Sequence, residues 1–152
     1  MNRFNRIMAA TALAALLPYA AAETPAELER NKQNVLAFYE LGINQMKPQA
    51  AADKYIGATY LQHNPMVADG VEPFVKAFEG LKRKFPQSRG EIKRVIAEGD
   101  LVVLHVHRKN TPDDLGRAVI DIFRLDKNGK IVEHWDVSQP VPEKTASGRS
   151  MF

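Results

Sequence analysis

Apolar positions in this chain change period part-way along. From Leu28 they recur at spacings of three, four and seven, at Val35, Leu36, Tyr39, Ile43 and Met46, which predicts a long amphipathic helix running to about Lys47. Thr24-Pro25-Ala26-Glu27 opens it as a capping box with proline at the first helical position. Pro48 begins a second helix, short and alanine-rich, to about Gly57. The stretch Thr59-Tyr60-Leu61-Gln62-His63-Asn64-Pro65 is then extended or turning, because proline disfavours helix at the residue before it. A third helix carries the stripe Phe74, Phe78, Leu81 and Phe85, with Asp69-Gly70-Val71-Glu72 as a second candidate capping box and Pro86 as its stop.

Beyond Pro86 the period drops to two. Strands are expected at residues 91–98, 101–109, 117–125 and 130–137, with turns at Gly99-Asp100, residues 110–116 and Asn128-Gly129. Helices first and consecutive strands afterwards predict an α+β domain whose helices pack on one face of an antiparallel sheet. Register in the last hairpin decides which side chains face inward. A two-residue turn at Asn128-Gly129, both of which tolerate positive φ, pairs Asp121 with Asp136 and Phe123 with His134 on one face. A four-residue loop gives the same parity, whereas a three-residue loop with a bulge would swap in Trp135. Residues 101–109 are apolar on both faces, so the sheet needs a second cover, which a partner subunit on the outer face would supply. Trp135 fits that seam, or equally the core of a single chain.

Composition alters the picture at the N-terminus. Arg3 and Arg6, the apolar run from Ile7 to Leu17 and Ala20-Ala21-Ala22 read as a signal peptide over residues 1–22, cleaved after Ala22. The run is shorter than the roughly 20 residues a membrane span needs. Pro18 and the missing polar face count against a buried N-terminal helix instead. Export implies a periplasmic or secreted protein with no membrane anchor once the leader is removed. The mature chain then divides into one domain at residues 23–139 and a polar, loose tail at 140–152. Loss of Arg3 and Arg6 takes the formal charge from +3 to +1. Basic residues are scattered among acids, and Lys82-Arg83-Lys84 closes a helix, so no nucleic-acid partner is implied. The absence of cysteine excludes disulfides, thiolate chemistry and cysteine metal sites.

Candidate chemistry gathers on the strands. His105 and His107 share one face of theirs, and Asp121 sits between Val119 and Phe123 on a face otherwise apolar. A carboxylate there must meet a ligand, a partner or a proton, since burying its charge alone is costly. Burial favours the acid and a neighbouring imidazolium the carboxylate, which is how such a pair comes to exchange protons near neutral pH. A structural Asp121–His107 ion pair is the plain alternative. Three of the four histidines, with Asp121 and Asp136, are expected on the inner face, which favours a functional site. His-x-His with a carboxylate, joined by His63, is also a conceivable zinc or iron set, but such barrels are all-β, and the expectation is no metal and no cofactor. His63 beside Asn64-Pro65 is equally explained as a turn cap.

Tyr60-Leu61-Gln62-His63-Asn64-Pro65, Asp69-Gly70, His105-Val106-His107, Asp121-Ile122-Phe123-Arg124 and Gly129-Lys130-Ile131-Val132-Glu133-His134-Trp135-Asp136-Val137 together resemble the SnoaL-like branch of the nuclear transport factor 2-like superfamily. The resemblance spans nearly the whole mature chain. It implies a cone of three helices wrapped against a curved sheet around a deep apolar pocket, commonly dimeric through the outer sheet face. It also implies that Asp121 is the metal-free acid/base of an aldol-type closure, with a histidine on the adjacent strand assisting, for which His107 fits best. His63, His105, His134, Asp136, Phe123 and Tyr60 would shape the pocket, while Tyr39, in the core stripe, would pack. Ketosteroid isomerases of the superfamily place their base near Asn64, which cannot accept that proton. The expectation is a cyclase, lyase or isomerase acting on a small, partly apolar carbonyl compound, or else a periplasmic protein that binds a small apolar ligand without chemistry.

Overall fold

The computed structural model describes residues 23–152, so the leader read at residues 1–22 lies outside the described residues. Helix α1 (Pro25–Tyr39) starts at the expected capping box: Thr24 accepts from the Glu27 N–H, and the Glu27 carboxylate accepts from the Thr24 N–H at 2.8 Å. It runs on through a π-helical turn (Glu40–Asn44), which keeps Ile43 buried in the stripe. Helix α2 (Pro48–Tyr55) follows, then strand β1 (Ile56–Gln62) and helix α3 (Val71–Lys84). Four strands complete the chain: β2 (Arg89–Glu98), β3 (Leu101–Lys109), β4 (Arg117–Leu125) and β5 (Ile131–Pro140). Among the described residues no helix is long and apolar enough to cross a membrane.

The sheet order is β1-β5-β4-β3-β2. The last four strands are antiparallel as the alternation requires, but β1 adds a fifth strand, parallel to β5, where the sequence indicates only an extended or turning piece. The second capping box does not form. Gly70 is the N-cap of α3 at φ +99°, a conformation that suits glycine, and Asp69 instead accepts from the Gln62 N–H at 2.7 Å, tying the end of β1 to the entry of the helix.

Side-chain parity places the core. Val102, Leu104 and Val106 of β3 are fully buried, and Val119, Phe123 and Leu125 of β4 join them under Phe38, Tyr39 and Phe74 from the helices. The opposite parity of β3, Leu101, Val103, His105 and His107, faces outward. The tail lacks regular secondary structure beyond β5 and folds back so that Phe152 stacks on His105 and His107 of the outer face, at 5.4 and 4.3 Å between ring centres.

Candidate active site

The β4–β5 hairpin delivers the site, by a route the Asn128-Gly129 signal does not reveal. The Asp126 carbonyl accepts from the Gly129 N–H and the Asp126 N–H donates to the Lys130 carbonyl, so the loop has three residues, with only Gly129 at positive φ (+74°). Left alone, that loop would turn Trp135 inward. However, Leu125 pairs with Ile131 and Arg124 with Glu133, leaving Val132 without a counterpart. This second irregularity restores the parity, so Asp121 pairs with Asp136, Phe123 with His134, and Trp135 with Ile122 on the outer face.

Asp121 and His134 are both buried and touch: His134 Nε2 lies 3.2 Å from Asp121 Oδ1. The other ring nitrogen, Nδ1, lies 3.0 Å from Gln62 Oε1, while Gln62 Nε2 donates to the Tyr60 hydroxyl at 3.0 Å. With its amide hydrogens turned toward Tyr60, Gln62 offers only an acceptor to His134, so Nδ1 must carry hydrogen. One further proton is therefore needed between Nε2 and Asp121. It rests either on the imidazole, making an ion pair, or on the carboxyl, making a neutral hydrogen bond. A second carboxylate stands beside them. Asn64 donates to both oxygens of Asp136, at 2.9 and 2.8 Å, and its own carbonyl accepts from the Met66 N–H.

These groups form one wall of a cavity of about 250 Å³. The other walls are Phe38, Tyr39, Ile43 and Tyr60 with Phe74, Ala77, Phe78 and Leu81 of α3, while Met66 and Val67 come from the β1–α3 loop. Burial, and then the charge of Asp121, raise the hydroxyl pKa of both Tyr39 and Tyr60 well above the usual phenol value, so both remain protonated donors. Tyr39 keeps its place because Gly90 leaves room: a Cβ there would fall 2.5 Å from the Tyr39 hydroxyl oxygen.

Of the residues singled out in the sequence, Asp121, His134, Asp136, Phe123 and Tyr60 line the cavity together. His107, His105 and His63 do not. His107 and His105 belong to the outward parity of β3, where they pair with Ala118 and Ile120, not with Asp121. His107 donates to the Leu115 carbonyl at 2.8 Å and Arg94 donates to His105 at 2.9 Å, so both hold surface structure. The histidine that meets Asp121 is on the strand at its other side. His63 is half-exposed, donates to Glu133 at 2.8 Å and stacks on Trp135. Missed from sequence were Gln62, Arg108 and the amide role of Asn64. Arg108 shares the parity of Leu104 and Val106, so counting by two along β3 would have found it.

The corrected geometry also moves any metal set. His105-Val106-His107 cannot reach Asp121, but single ligand atoms of Asp121, His134 and Asp136 lie within 4.8 Å of one another, a trio able to hold a divalent cation.

On the outer face, Glu133 accepts from His63 and Arg124, and Arg124 also donates to Asp100 at 2.7 Å. The His63 hydrogen bond, then that of Arg124, hold the Glu133 carboxyl below the usual glutamate range. A depressed carboxyl contributes stability above the ordinary glutamate value and loses it as pH falls through the folded value. Glu133→Gln should therefore be less stable at pH 7 by up to about 1 kcal/mol. In urea melts at pH 7 and pH 3 the gap should close at the lower pH. A gap of equal size at both would assign the effect to packing.

A family model for SnoaL-like polyketide cyclases matches residues 33–144. Solved structures share the fold. A protein from Jannaschia, provisionally named a SnoaL-like polyketide cyclase, superposes with a TM-score of 0.63 at 17% identity, over 77% of this chain and 90% of its own. TsrD from Streptomyces laurentii gives 0.59 at 20%, over 77% and 91%. A SnoaL-like protein of unknown function from Burkholderia thailandensis gives 0.59 at 15%, over 78% and 99%. At such identities the likeness is one of fold, the helix-wrapped cone of the nuclear transport factor 2-like superfamily. No curated protein matches this sequence.

Proposed function

This chain belongs to the SnoaL-like polyketide cyclase family, and from that premise we propose that it is a metal-free acid/base enzyme of the cyclase, lyase or isomerase kind. Its substrate would be a small, partly apolar carbonyl compound. The observation that carries this reading is the hydrogen bond between Asp121 and His134 in a cavity walled mostly by aromatic and aliphatic side chains. Asp121 takes the proton from the carbon beside the carbonyl, and His134, oriented by Gln62, offsets the charge change on the pair. The Tyr60 hydroxyl accepts from Gln62, which leaves its own hydrogen to donate to the enolate oxygen. Asn64 holds Asp136 as an acceptor able to orient a substrate hydroxyl.

The test is deuterium incorporation at the carbon beside the carbonyl, measured by NMR for a panel of small aryl and alkyl ketones in D2O. Exchange above the buffer rate is expected. Ligands that bind yet never exchange would favour a protein that sequesters apolar compounds. Stoichiometric zinc or iron surviving dialysis, read by elemental analysis, would overturn the metal-free part.

Two further parts of the proposal concern the assembly and the location. The outer sheet face exposes Val137 beside Trp135 on β5 and Ile96 on β2, in the row that runs through Val103 and Ile122 to Trp135, an apolar surface suited to a second copy of the chain. Sedimentation giving a monomer mass would overturn the dimer. The leader would send the protein to the periplasm or medium, so the mature product should begin at Glu23 by N-terminal sequencing.

A further inference from the structure

We infer that the pocket selects substrates bearing a carboxylate or similar anionic group, held by Arg108. The inference rests on the pocket being the substrate site and names the class of compound it takes.

Three observations support it. Arg108 lines the cavity on the same β3 parity as Leu104 and Val106, at the strand end remote from Leu101. Its guanidinium lies 5.5 Å from the centre of the Phe78 ring, a contact that fixes the side chain against α3 without neutralising it. Among the described residues no carboxylate forms an ion pair with Arg108, and its side chain makes no hydrogen bond. Arg124, on the outer face, is by contrast shared between Asp100 and Glu133. A guanidinium presents planar donors that match a carboxylate at two points, so an unpaired one lining the cavity is built to receive an anion.

The pocket is therefore polar at both ends and apolar between. Leu104 pairs with Asp121 across the sheet, and Arg108 follows four residues later, roughly 13 Å along the strand. Arginine reaches back over part of that distance. A compound whose carbonyl meets Asp121 would present an anionic group to Arg108 from the far side of one aromatic ring or a chain of similar length. Phe74 and Phe78 would flank the segment between. Asp136 at the inner end repels a carboxylate, so its charge and that of Arg108 together set the direction of entry.

The test compares 4-acetylbenzoate with 4-acetylbenzamide, which share shape and ketone and differ in charge. Dissociation constants from ligand-observed NMR should favour the carboxylate by at least about tenfold in the wild-type protein. Arg108→Gln should bring the ratio near one, and Arg108→Lys should keep part of it. A wild-type ratio near one, including failure of 4-acetylbenzoate to bind at millimolar concentration, overturns the inference without any variant. So does a ratio that survives Arg108→Gln. Binding is read here without turnover, so absence of deuterium exchange would defeat the acid/base proposal and leave the anion preference standing.

Discussion

Asp121→Asn should lower deuterium exchange beside the substrate carbonyl by about a hundredfold to ten-thousandfold, the span that a positioned acid or base supplies. The amide has nearly the shape of the carboxyl and can still hydrogen-bond to His134 Nε2, so the buried contact persists. What it lacks is an oxygen that accepts and returns a proton. Stability should stay close to wild type, because no cavity forms and no charge is stranded. Ligand affinity should change little. The combination matters: a loss of exchange accompanied by unfolding would say only that Asp121 is structural, whereas loss in a folded protein that still binds ketones isolates proton transfer. Unchanged exchange in a folded Asp121→Asn protein would remove Asp121 from the chemistry.

His134 is the nearest alternative carrier, and the hydrogen-bond chain argues for a subordinate role. Gln62 fixes Nδ1 as a donor, so Nε2 is the only nitrogen free to trade a proton, and it is turned toward Asp121. His134 therefore acts on substrate through the carboxyl unless the ring rotates away from Gln62.

Much of this arrangement can be read from the chain, because periodicity follows from backbone geometry alone. The stripe at Val35, Tyr39 and Ile43 and the alternation through Val119, Asp121 and Phe123 require no partner to interpret. The inward aspartate is legible for that reason. Its histidine is not, since alternation along β3 gives two faces without saying which is inner, and composition alone puts His105 and His107 on the wrong one. Val102, Leu104 and Val106 are the better-packed set, but Leu101 and Val103 compete with them on composition. The parity of β5 comes out as expected through two irregularities that cancel, the three-residue loop and the unpaired Val132, and only the folded register exposes them. Long-range partners such as Gln62 with His134 and Asn64 with Asp136 depend on β1 lying parallel to β5, a pairing that local pattern does not encode.

Phe38→Ala should be the most damaging core substitution near the pocket, costing about 3 kcal/mol in urea denaturation at an unchanged slope. Phe38 is 1% exposed and joins α1 to α3 and to the sheet: its ring stacks on Phe74 of α3 at 5.5 Å and meets the edge of Phe123 of β4 at 5.8 Å. Phenylalanine-to-alanine losses run to about 5 kcal/mol where the void is sealed. Here the ring also lines the cavity, so the new space merges with a volume already open at the mouth, and the penalty should fall toward the lower end. The same merger predicts a gain: the Phe38→Ala protein should bind bulkier aryl ketones that the wild type excludes, and those ligands should recover part of the lost stability in proportion to their occupancy. Phe123, left without its edge contact, also tilts against His134 at 4.8 Å, so the mobility of the Asp121–His134 pair should rise and exchange should slow even in the folded fraction. A cost below about 1 kcal/mol, with no change in ligand size preference, would mean that Phe38 neither joins the helices to the sheet nor bounds the pocket.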